Sequence, residues 1–101
     1  MTLNQYQNEV ESFAKPYMTE QYCVIGLGGE SGEVLEWYKK FILKSNMIKK
    51  PLTEEDLILE LGDILFYLTR LADIKGYSLQ EVMDLNIKKH REENKEKKGK
   101  K

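Results

Sequence analysis

Three observations predict an all-α fold. Four segments carry apolar residues that recur every three to four positions, three of them open on a helix-capping pattern, and the two prolines fall at segment boundaries. The expected architecture is a four-helix bundle assembling as a dimer or tetramer. With 101 residues the chain is expected to form one domain over residues 1–91, followed by a charged tail over 92–101.

The first helix opens at Thr2, with Gln5 placed three residues on to complete a capping box. Leu3, Tyr6, Val10 and Phe13 form its apolar stripe, and it stops before Pro16. The second helix is expected from near Thr19 to about Ser45. Gly26, Gly28, Gly29 and Gly32 fall within it. Each glycine costs about 0.5–1 kcal/mol relative to alanine in a helix interior. Close approach of a neighbouring helix or a ligand is the expected reason, and a break near Gly28-Gly29 is the alternative. A loop over Asn46 to Leu52 is closed by Pro51. Thr53 opens the third helix with Asp56 as its capping partner, and Glu54, Glu55 and Asp56 lie on the positive end of the helix dipole. Gly76 ends it as a C′ glycine. Ser78 with Glu81 caps the fourth helix, which runs through Val82 and Leu85 to about Lys89.

The third helix is apolar around nearly its whole circumference, from Leu57 to Ile74. Only the line Asp56, Glu60, Asp63, Tyr67, Arg70 departs from this. A helix of that kind is buried on most sides, and three partner helices in so short a chain can hardly cover it. At least a homodimer is therefore expected, with the third helix at its centre.

Composition narrows the function classes. Hydrophobic residues at 41% and charged residues at 33% suit a soluble helical protein. One cysteine, Cys23, excludes an intramolecular disulfide, and a single histidine, His90, leaves no Cys/His set for zinc. No apolar run approaches the roughly 18–20 residues that span a membrane, and MTLNQYQNEV lacks the apolar core of a secretion signal. A cytoplasmic protein is the default. Residues 1–85 carry 8 Lys+Arg against 14 Asp+Glu, while residues 86–101 carry 8 against 3. Nucleic-acid binding needs a basic body, and this body is acidic. An acidic body with a basic end fits a metal-loaded site whose rim handles phosphate, although Glu92 to Lys101 also reads as a solvated, frayed terminus.

A short word occurs twice. Glu30-Ser31-Gly32-Glu33-Val34-Leu35 returns as Glu60-Leu61-Gly62-Asp63-Ile64-Leu65. Helix positions three apart share a face, so each copy presents two carboxylates side by side. If the two helices pack antiparallel, Glu30, Glu33, Glu60 and Asp63 converge, and four like charges repel unless cations sit among them. All-oxygen ligation selects hard cations, Mg²⁺ or Mn²⁺. Mg²⁺ keeps part of its shell for water and substrate phosphates, which makes a polyphosphate the natural substrate. Glycine at the inner position of each copy is expected to let the helices approach. Lys40 and Tyr67 fall one or two turns from the acids on the same faces. A repeat produced by bundle packing alone would explain the aliphatic matches, but not acids at four matched positions.

Gly26-Leu27-Gly28-Gly29-Glu30-Ser31-Gly32-Glu33-Val34, then Glu60-Leu61-Gly62-Asp63-Ile64-Leu65-Phe66-Tyr67-Leu68, then Asn86-Ile87-Lys88-Lys89-His90-Arg91 carry a resemblance. From about Leu3 to Arg91 the chain resembles the MazG-like branch of the all-α nucleoside triphosphate pyrophosphohydrolases, whose signature is Glu-x-x-Glu, a variable spacer, then Glu-x-x-Asp. The resemblance implies Mg²⁺-dependent hydrolysis of a (deoxy)nucleoside triphosphate to the monophosphate and pyrophosphate. It implies that Glu30, Glu33, Glu60 and Asp63 hold the metal and position the water. Lys40 or its neighbour Lys39 would face the phosphates, and Tyr67 would pack on sugar or base. Asn86, Lys89 and Arg91 would contact phosphates, with a neighbouring subunit as one source of them. Two departures stand out. Many relatives carry an acid where this chain has Gly29, and many continue with a further arginine, Tyr-Pro and a glycine turn where this chain has Glu92-Glu93-Asn94-Lys95.

Two other functions fit the same residues. Phosphoribosyl-ATP pyrophosphohydrolases share the architecture, and a non-catalytic oligomerisation or nucleotide-sensing module would keep the metal cradle with an altered tail. Trp37 is read as a packing residue ahead of a base-stacking one, Tyr6 and Tyr17 as packing residues, Cys23 as a small buried hydrophobe, and His90 as solvent-exposed. Arg70 is left between a phosphate and a surface acid.

Overall fold

The computed structural model of the chain describes residues 1–40 and 53–99. The described residues form four helices and no strand: α1 (Leu3–Ser12), α2 (Glu20–Tyr38), α3 (Glu54–Ile74) and α4 (Leu79–Gly99). None of these helices is long and apolar enough to cross a membrane. The expected end of the second helix near Ser45 and the loop over 46–52 with Pro51 lie outside the described residues.

The caps are where the side chains place them. Thr2 accepts from the Gln5 N–H at 3.1 Å while Gln5 Oε1 accepts from the Thr2 N–H at 2.8 Å. Thr53 and Asp56 make the same reciprocal pair at 3.3 and 2.7 Å, as do Ser78 and Glu81 at 3.1 Å. Thr19 caps α2 through the Tyr22 N–H. At the end of α3, Gly76 adopts φ +81, and the Tyr77 and Gly76 N–H groups close back on the carbonyls of Ala72 and Asp73 at 2.9 and 3.0 Å. That left-handed turn is the reason for glycine at this position.

Contacts from Tyr22 to Tyr67 at one end and from Trp37 to Thr53 at the other run α2 and α3 antiparallel. This pair is the most extensive packing in the chain, with α1 laid against α3 and the start of α4. The Trp37 indole N–H donates to the Thr53 carbonyl at 2.8 Å and the ring is buried, so Trp37 is a packing residue. Cys23 is fully buried. Gln7 fastens α1 to the α3–α4 corner. Its amide nitrogen donates to Asp73 Oδ1 and to the Tyr77 carbonyl at 3.1 Å, and its oxygen accepts from the Leu79 N–H at 2.8 Å. Buried polar groups persist where every donor and acceptor finds a partner, and Gln7 meets that condition.

Three expectations change. The helix does not break at Gly28-Gly29, because α2 is continuous from Glu20 to Tyr38. Close approach of a neighbouring helix accounts for Gly26 alone. A Cβ there would stand 2.6 Å from Tyr67 Cε1, whereas one at Gly28, Gly29, Gly32 or Gly62 meets nothing within 4 Å among the described residues. The inner glycines of the repeated word therefore do not let α2 and α3 approach; the pair already packs with those positions open. The fourth helix runs to Gly99 rather than to about Lys89, since no glycine or proline intervenes and its Lys, Glu and Gln residues are good helix formers.

The described residues do not enclose α3. Ile58, Leu59, Leu61 and Leu65 are 62, 63, 45 and 42% exposed, and Ile25 and Leu35 of α2 are 74 and 73% exposed. The Cα radius of gyration, 17.4 Å, exceeds the ~13 Å of a compact domain of this length.

Candidate metal centre

Glu30 projects from α2, and Glu60 and Asp63 project from the facing turn of α3, spaced i to i+3 along one side of that helix. Their carboxylates each offer an oxygen such that all three oxygens lie within 4.8 Å of one another. Glu30 and Glu60 are half-buried and Asp63 is exposed, so the cluster sits at the lip of the α2–α3 seam. Glu60 Oε2 is buried and accepts no hydrogen bond among the described residues. A cation, a water or a protonated neighbour would complete it.

The electrostatics agree. The Glu30 carboxyl is pushed up to about 7, first by burial, then by the Glu60 carboxylate to which its proton can be donated, and by the charges of Asp63, Glu60 and Glu33. The site holds more negative charge than it can keep ionised alone. Three carboxylates without a nitrogen or sulfur donor suit a hard divalent cation, and the bare Glu60 oxygen fits one.

Of the four expected acids, three converge, and Glu33 contributes no oxygen to the cluster. Glu33 instead lines both pockets that flank it. Toward the start of α2 lies a pocket of about 370 Å³ lined by Tyr22, Ile25, Gly26, Gly29, Glu30, Glu33 and Tyr67. Toward its end lies one of about 210 Å³ lined by Glu33, Glu36, Trp37, Lys40, Asp56, Leu59 and Glu60. Lys40 is thus at the site, where its Nζ lies 3.9 Å from Glu36, while the exposed Lys39 lines neither pocket. Tyr67 is at the site through the larger pocket. Asn86, Lys89 and Arg91 are exposed on α4, which touches α1 and α3 but not α2, and they line neither pocket.

Tyr22 is a site-lining residue that spacing alone did not single out, and Asp56, read by spacing as a member of the α3 polar line and as a cap, lines the smaller pocket. Tyr22 shares a helical face with Gly26, Gly29 and Glu33, a pattern readable from the 3.6 period once the acids are placed. Arg70 pairs with Asp73 at 3.2 Å and leaves its Nε buried without a partner, so it is taken up by the α3 terminus. His90 is exposed, 3.9 Å from Glu93.

A family model described as the MazG nucleotide pyrophosphohydrolase domain matches residues 18–97. The chain belongs to the MazG family. Its MazG domain includes all three converging acids and both flanking pockets. Gene 37 protein of Mycobacterium phage L5 is 32% identical over 68 residues, which cover 67% of this chain. The match spans 60% of that relative's length. No solved structure matches the chain. Among the expectations, the resemblance to MazG-like proteins and an all-helical fold are borne out.

Proposed function

We propose that this MazG protein is a divalent-metal-dependent nucleotide pyrophosphohydrolase. Its reaction would be cleavage of (deoxy)nucleoside triphosphates to the monophosphate and pyrophosphate with Mg²⁺, or with Mn²⁺ in its place. The observation that carries this reading is the convergence of Glu30, Glu60 and Asp63 around a buried, unsatisfied Glu60 oxygen inside a MazG domain. A hard divalent cation held there would supply Lewis-acid activation of the phosphoanhydride and of the attacking water. Glu30, whose carboxyl is pushed up to about 7 by burial first and by its neighbouring carboxylates second, would give up its proton as a cation binds beside it. Glu33, which lines both pockets beside the cluster, would accept a hydrogen bond from the attacking water. Lys40 offers the cationic end of the smaller pocket to the departing phosphates.

Assembly belongs to the same reading. The apolar exposure of α2 and α3 is larger than scattered surface hydrophobics account for, and a homodimer or homotetramer covers it. Asn86, Lys89 and Arg91, remote from the acids of their own chain, would serve a neighbouring one. The same remoteness, with Glu33 outside the cluster, favours a second reading in which the cradle binds metal and nucleotide without turnover.

Pyrophosphate release from a panel of NTPs and dNTPs with Mg²⁺ or Mn²⁺ separates the two. Release is expected to vanish with EDTA and in Asp63→Asn and Glu60→Gln, with helicity retained. Hydrolysis surviving in Asp63→Asn would reject the site, and nucleotide binding without release from the wild type would favour the sensing role.

A further inference from the structure

We propose that Tyr6 of α1 is a positioning residue for Asp63, its phenol O–H holding the carboxylate oxygen that faces away from Glu30 and Glu60. This rests on the metal-binding reading above and adds the first helix to the machinery of the site.

Asp63 stands where two lines of α3 meet. Toward α2 it continues Glu60 and Tyr67. Away from α2 it opens the line Asp63, Phe66, Arg70, Asp73, spaced i, i+3, i+7 and i+10 along one side of the helix. α1 lies on that second line. Gln7 bonds to Asp73 and, at 2.8 Å, to the Leu79 N–H. α1 packs on α3 and α4 but, among the described residues, not on α2. It therefore approaches Asp63 from the side that Glu30 does not occupy.

Tyr6 adjoins Gln7 and shares a helical face with the buried Val10, one turn on. Its ring is half-buried, turned toward the body of the chain. Burial first, and the Asp63 charge second, raise the phenol above its ordinary value, so the two groups lie within each other's field. Arg70, the cation of the same line, is turned to Asp73 at 3.2 Å.

Asp63 is also the acid that most needs such a partner. It is exposed, whereas Glu30 and Glu60 are half-buried, so its side chain keeps rotamer freedom that binding a cation must remove. It gives one oxygen to the cluster, and the second oxygen of a carboxylate can accept a hydrogen bond. A donor on that second oxygen fixes the first in place before the cation arrives. The MazG match begins at residue 18, so α1 supplies this contact from outside the matched stretch.

The test is calorimetric titration of Mn²⁺ into the full chain and into Tyr6→Phe and Tyr6→Leu, with urea unfolding of all three. Both variants lose the hydroxyl and should bind Mn²⁺ about tenfold more weakly, the low end of what removing an outer partner of a metal ligand does. Only Tyr6→Leu, which also loses the ring, should lower the urea midpoint. Wild-type Mn²⁺ affinity in Tyr6→Phe overturns the proposal and leaves Tyr6 a packing residue, whether or not Tyr6→Leu folds. Weakened Mn²⁺ binding in Tyr6→Phe, in a protein that releases no pyrophosphate, keeps the role of Tyr6 and overturns the pyrophosphohydrolase reading. A wild type that binds no Mn²⁺ overturns both.

Discussion

Tyr67 occupies the space that a side chain at Gly26 would need. A Cβ at position 26 would stand 2.6, 2.7 and 2.9 Å from three carbons of the Tyr67 ring. That ring is itself flanked by Tyr22 and Phe66, so it has little room to yield. Gly26→Ala should therefore destabilise the fold despite alanine's better helix propensity, an overpacking cost of about 1–3 kcal/mol against a gain of about 1. Urea unfolding measures the difference, and an unchanged or higher midpoint would show that Tyr67 moves freely.

Gly32 and Gly62 make the opposite prediction. With open space at both positions, alanine in either should stabilise an isolated chain by about 0.5–1 kcal/mol. If the inner glycines of the repeated word are instead kept for contact between subunits, Gly62→Ala should lower the molecular mass in sedimentation. A variant both more stable and identically assembled would leave those glycines without a packing role.

Glu30 sets a pH dependence. Its folded-state value is about 7 against an ordinary 4.5, so the native state holds this proton more tightly than the unfolded chain. The contribution to stability is complete below pH 4.5, declines as pH rises toward about 7, and is flat above. Metal affinity should rise across the same window, because the proton must leave. Thermal unfolding in EDTA across this range should slope downward for wild type relative to Glu30→Gln. Parallel curves for the two would remove Glu30 as the cause.

Gln7→Ala should cost stability in proportion to what it strands. The buried Leu79 N–H loses its Gln7 acceptor, at about 1–3 kcal/mol, and the Asp73 and Tyr77 oxygens lose a donor. Gln7→Glu keeps the acceptor but brings a charge beside Asp73, and should be rescued by acid. Equal urea midpoints for Gln7→Ala and wild type would mean that water substitutes for the amide.

How much of this was readable in the sequence differs by residue. Thr2, Thr53, Ser78 and Gly76 were legible because capping and left-handed turns are settled within four or five residues. Glu30, Glu60 and Asp63 were legible because spacing on a helix fixes direction. Glu33 was not, since direction says nothing of where two helices come closest, and not every acid of two facing pairs can lie at that point. Gly26 and Gln7 depend on Tyr67 and Leu79, partners far along the chain, and no local pattern announces them. The length of α4 was underestimated because charge was read as fraying, when lysine and glutamate are as much helix formers as the residues before them.

The bonds of Gln7 reach 66, 70 and 72 residues ahead in the chain. During synthesis the Gln7 bonds therefore close only after Leu79 has emerged, although α1 can already lie against α3. The α2–α3 hairpin that carries the acids can form in the interval, its contacts being nearer in sequence and so quicker to close. A ribosome stalled before the α3–α4 corner would present the acid-bearing hairpin with α1 lacking the Gln7 bonds that tie it to that corner.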